Sequence, residues 1–69
     1  MTINTLIERL KEDLDILDKK GGYYEQKSME AYESGDKDAE TYWDNQADEV
    51  WRISKDIRMV LLIIKELSP

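Results

Sequence analysis

An all-α fold, an antiparallel hairpin of two long helices, is predicted by three features of this chain. Its apolar residues recur at alternating steps of three and four, the spacing of a helix face. No stretch rich in Val, Ile and Thr alternates as a half-buried strand would. A single turn, Ser34–Asp36, divides the sequence into two arms of nearly equal length. The expectation is one helical domain over 1–69, with a first arm over 2–34 and a long helix over 37–67.

The first arm carries Ile3, Ile7, Leu10, Leu14 and Leu17, and the same stepping continues through Gly21, Tyr24, Ser28 and Ala31. Such a stripe is a heptad seam. Thr2, or Thr5 with Glu8 three residues on, supplies the capping signal at its start. The stretch "KKGGYY" leaves two readings open, because each glycine costs a helix interior about 1 kcal/mol relative to alanine. Either the arm is one helix, thinned or kinked at Gly21–Gly22 where the long helix approaches, or it breaks there. The second case gives three helices, over 2–19, 23–34 and 37–67.

The turn reads "YESGDKDAE". Gly35 can adopt the left-handed conformation that ends a helix, and Asp36 can cap the next one. From there Ala39, Trp43, Gln46, Val50, Ile53, Ile57, Val60, Ile64 and Leu67 continue the stepping. They predict a helix of about 30 residues, roughly 45 Å long. Folding the arms about the turn makes the numbers of facing residues add to about 71, which sets Trp43 against Ser28, Tyr24 against Ala47, Leu14 against Ile57 and Leu10 against Leu61. Large residues then meet small ones near the turn, and aliphatic residues meet one another near the termini.

Sixty-nine residues with no Cys and no His make a domain too small to be comfortably stable on one core, and without the usual disulfide or metal supports. Self-association is the remaining support. The run "RMVLLIIKEL" points the same way. Val60, Leu61 and Ile64 are expected to face the first arm, whereas Met59, Leu62 and Ile63 fall on other sides of the helix. Trp51 and Ile16 lie outward at similar heights. A lone hairpin would expose these five, so Ile16, Trp51, Met59, Leu62 and Ile63 are the expected self-association residues of a homodimer packed as a four-helix bundle. The competing arrangement is a split first arm that wraps the long helix within one chain.

Charge is unevenly distributed. The net charge is −6, but residues 1–27 carry about −1, residues 28–51 carry −7 and residues 52–69 carry +2. A chain so acidic is repelled by nucleic acid, so no direct nucleic-acid binding is expected. Around the turn, Glu33, Asp36, Asp38, Glu40 and Asp44 cluster with Tyr32 and Tyr42. Carboxylates that steer, beside aromatics that offer rigid contact area, suit a partner protein with a basic surface. A purely local explanation competes, since acids at the start of a helix offset its dipole.

Enzyme chemistry finds no foothold: no catalytic residue, cofactor site or metal site is expected. There is no His base, no Cys nucleophile and no glycine-rich phosphate loop. "DKDAE" begins like a calcium loop but has Thr41 and Ala47 where the turn glycine and the closing glutamate belong. The amino terminus lacks the pattern of a signal peptide, and no apolar run approaches the length of a membrane span, so a cytoplasmic location is expected. The function expected is that of a non-enzymatic interaction module, self-associating through its terminal half and presenting the acidic turn. The alternative is a phage or mobile-element accessory inhibitor that blocks a nucleic-acid-binding enzyme by acidic mimicry.

Overall fold

The computed structural model describes residues 2–67. Helix α1 spans Ile3–Ser34 and helix α2 spans Lys37–Leu67, packed against each other as an antiparallel hairpin. The molecule is a rod of 53 × 15 × 14 Å with a radius of gyration of 15.7 Å. A compact domain of this length would have a radius of gyration of about 11 Å.

Local chemistry accounts for each helix end. Thr2 caps α1 from an extended backbone, its Oγ1 accepting from the Thr5 N–H at 3.1 Å. At the other end Gly35 takes φ 79°, a left-handed geometry that costs a residue with a Cβ more than it costs glycine. The Gly35 N–H donates to the Tyr32 carbonyl and the Asp36 N–H to the Ala31 carbonyl, which closes a Schellman motif and satisfies the last carbonyls of α1. Asp36 then caps α2 by accepting from the Ala39 N–H at 3.1 Å. One residue thus finishes one helix and begins the next.

Helix α1 runs without a break through Gly21–Gly22. The two glycines have different surroundings. A Cβ on Gly21 would lie 2.6–2.9 Å from three atoms of the Trp51 indole, while a Cβ on Gly22 would meet nothing within 4 Å. Gly21 is therefore the place of close approach, and Gly22 faces open space.

The seam of α1 follows the predicted stripe from Ile7 on, with Gly21, Ser28 and Ala31 buried and Ile7, Leu10, Leu14, Leu17 and Tyr24 half-buried, while Ile3 is left exposed. The seam of α2 follows its stripe only in part. It runs through Trp43, Ala47, Val50, Ser54, Ile57, Leu61 and Ile64: Ala47 and Leu61 face α1 as the register predicts and Gln46 stays half-buried, but Ser54 takes the place of Ile53, and Val60 lies outside. Ile53 is 41% exposed, Val60 45% and Leu67 80%. The physical reason is size. Val50, Ile57 and Ile64 can be completed into a stripe on either flank, and the flank with Ala47 and Ser54 lets the backbones close on Gly21, Ser28 and Ala31. The facing register is close to expectation: Ser28 reaches Asp44 and Gly21 sits under Trp51, pairs whose numbers add to 72.

Candidate interaction surfaces

Because small residues fill the seam, the hairpin buries few large side chains. Its two long sides are chemically different. One is polar. Arg58 Nη2 donates to both carboxylate oxygens of Asp18 at 2.8 and 2.9 Å, and the Trp51 indole N–H donates to Glu25 Oε1 at 2.8 Å. Asn4, Lys11 and Lys65 continue this side around a shallow recess over Ile7 and Leu61.

The opposite side is apolar toward the termini. Residues seven apart share a helix face, as do those three or four apart. By that rule Leu6, Arg9, Asp13, Ile16, Lys20 and Tyr23 form the flank of α1 away from Asp18 and Glu25. Likewise Tyr42, Ile53, Asp56, Val60, Ile63 and Leu67 form the flank of α2 away from Trp51 and Arg58. The large apolar members of both stripes are exposed. Nearer the turn this side carries an aromatic cluster: Trp43 stacks on Tyr24 at 5.7 Å and meets Tyr23 and Tyr42 edge-on, and Lys27 Nζ lies 5.6 Å from the Tyr23 ring centre.

The structure divides the five residues expected to self-associate. Ile16 and Ile63 share the apolar side, 53% and 52% exposed. Met59 and Leu62 are also exposed, but Met59 lies on the outer surface of α2 and Leu62 lies on the other long side, lining a recess with Arg58, Leu61 and Lys65. Trp51 requires a correction. Instead of pointing outward it lies half-buried on Gly21 within its own chain, its polar edge held by Glu25. Its replacements on the apolar side are Ile53, Val60 and Leu67, which the heptad stepping assigns to the internal seam.

The residues expected to bind a partner are also dispersed. Asp36 is occupied as a cap, and Asp44 accepts a hydrogen bond from Ser28 Oγ across the helices. Asp38 and Glu40 sit in the first turn of α2, with Glu40 half-buried, and Glu33 is exposed on α1. Tyr32 and Tyr42 are exposed, but they flank the seam on opposite sides, Tyr32 with Glu25 and Tyr42 with Trp43. The carboxylates are spread around the end of the rod. Among the described residues, no group of three His, Cys, Asp or Glu side chains is placed to hold a metal ion, and no helix is long and apolar enough to cross a membrane.

Sequence reasoning missed the aromatic cluster, the Trp51–Gly21 contact and the Asp18–Arg58 pair. The aromatic dipeptides Tyr23-Tyr24 and Tyr42-Trp43, one in each arm on the turn-proximal half of the hairpin, were a usable signal for the first. Compared with protein-family models, curated proteins and solved structures, the chain matches none of them.

Proposed function

We propose that this chain is a non-enzymatic protein–protein interaction module that forms a homodimer through the apolar side of its terminal half, completing a four-helix bundle, and presents its acidic pole to a basic partner protein. The observation that carries the first part is the uncovered surface. The accessible area is 5583 Å², whereas a compact monomer of this mass exposes about 4,500 Å². The excess of roughly 1,000 Å² compares with the ~800 Å² per partner of an ordinary stable interface. Leu6, Ile16, Ile53, Val60 and Ile63 lie together on one side of that surface, so a second copy removes the excess where it is most apolar.

The acidic pole supports the second part. Residues 28–51 carry eight acids against Lys37 alone, at the end of the rod farthest from the apolar side. Their carboxylates surround that end and do not run in a row along it. This favours docking of a basic protein surface over imitation of a nucleic-acid backbone.

Light scattering and sedimentation test the dimer. The expected result is a particle of twice the chain mass that Val60→Glu converts to a folded monomer. A monomeric wild type at high concentration overturns the reading. For the pole, the measurement is binding of an arginine-rich peptide against ionic strength. Glu33→Gln/Asp38→Asn/Glu40→Gln, which spares the structural Asp36 and Asp44, is expected to weaken binding and flatten its salt dependence. Unchanged binding refutes the role of the pole.

A further inference from the structure

The apolar side carries charges as well as hydrophobic residues, and their order determines how two copies fit. Along α1 the stripe reads Leu6, Arg9, Asp13, Ile16: apolar, positive, negative, apolar. This order maps onto its charge complement when reversed about residue 11. Along α2 the stripe reads Ile53, Asp56, Val60, Ile63, Leu67, apolar on both sides of Val60 but for Asp56. The two centres are level, because facing residues in the hairpin have numbers adding to about 72, which sets residue 11 beside Leu61. Neither Arg9 nor Asp13 makes an ion pair within the chain among the described residues.

Resting on the self-association reading above, we propose that the second copy docks tail to tail. The arrangement is antiparallel and staggered, with a two-fold axis that passes near residue 11 of α1 and Val60 of α2, at right angles to the helices. In this arrangement each Arg9 faces Asp13 of the other copy, twice by symmetry. Leu6 faces Ile16, Ile53 faces Leu67 and Val60 faces itself. Asp56 shares the face of Ile63 and falls against Ile63 of the other copy, the one charge this arrangement leaves on an apolar partner. An isologous contact of this kind requires a self-complementary patch, and the α1 stripe is one.

The head-to-head alternative, with the axis along the bundle, is worse on two counts. It lays α1 on α2 of the other copy at equal height. Asp13 is then set against Val60, Ile16 against Asp56 and Arg9 against Ile63, so that three charges lie on apolar partners and none is paired. It also places both acidic turns at one end, within reach of each other at a Debye length of about 8 Å. The staggered arrangement places the turns at opposite ends. At 1.5 Å per residue, Lys37 in each copy is about 36 Å from the axis, so the two lie roughly 70 Å apart.

The test uses the full chain with a nitroxide label at Lys37→Cys and pulsed dipolar spectroscopy, with light scattering on the same sample. A dimer with a label separation near 70 Å supports the arrangement. A dimer with a short separation, below about 40 Å on the same helical geometry, overturns the arrangement while leaving self-association intact. A monomeric mass with no dipolar signal overturns the self-association reading and the arrangement with it. Charge exchange gives a second measurement. Arg9→Glu is expected to weaken dimerisation by about tenfold, and Arg9→Glu/Asp13→Arg to restore it. Failure of the double variant to recover, with helicity unchanged, also overturns the arrangement.

Discussion

Gly21 and Gly22 are neighbours in one helix, yet alanine at the two positions is expected to act in opposite directions. At Gly22 a methyl meets nothing within 4 Å, so the substitution gains helix propensity, about 1 kcal/mol. At Gly21 the same gain is set against a Cβ placed 2.6–2.9 Å from the Trp51 ring. The indole has to lift, which strains or breaks its 2.8 Å hydrogen bond to Glu25. Overpacking of this kind costs about 1–3 kcal/mol. Since propensity cancels between adjacent sites, Gly21→Ala should be less stable than Gly22→Ala by about 1–3 kcal/mol, or roughly 4–20 °C in Tm for a chain of this size. The assay is thermal and urea unfolding followed by circular dichroism at one protein concentration, because association shifts apparent stability. Trp51→Ala closes the cycle: in that background the two alanines should become equivalent. Equal stabilisation by both in the Trp51 chain would refute the close approach, and with it the explanation of why α2 turns its small-residue flank inward.

Three other perturbations follow from the geometry. Ser54 is wholly buried and its hydroxyl has no hydrogen-bond partner, so Ser54→Ala should raise stability by about 1 kcal/mol in denaturant titration; a loss would mean that the hydroxyl is satisfied. Gly35→Ala forces a Cβ into the left-handed geometry at φ 79° and should cost about 1 kcal/mol in the same assay. Asp36→Ala should destabilise by about 1 kcal/mol through loss of the cap on α2, while Asp38→Asn should stay within about 0.5 kcal/mol; equal effects would show that charge, not the cap, is what Asp36 supplies.

Legibility was uneven along the chain, for identifiable reasons. The turn was readable because Gly35 and Asp36 meet local demands, a left-handed backbone and a capping oxygen, that few residues satisfy. The stripe of α1 was readable because one flank is polar and the other, though it carries Leu6 and Ile16, is broken by Arg9, Asp13 and Lys20. The site was less legible. Trp51 looked like an outward-facing residue because its seat, Gly21, is thirty positions away in the sequence.

Helical periodicity and one glycine turn suffice to specify two long helices, their antiparallel sense, a facing register within one residue and the seam of α1. These depend on spacing and on backbone geometry that can be satisfied locally. Only the tertiary structure decided that Ser54 lies inside and Ile53 and Val60 outside. The register sets Ala47 and Leu61 against α1, but the stepping places Ile53 and Val60 there too, and Val50, Ile57 and Ile64 complete a stripe with either set. That choice depends on how closely the other backbone can approach, and hence on Gly21, Ser28 and Ala31 in another helix. The same choice left Ile53, Val60 and Leu67 on the surface, where the proposed second copy docks.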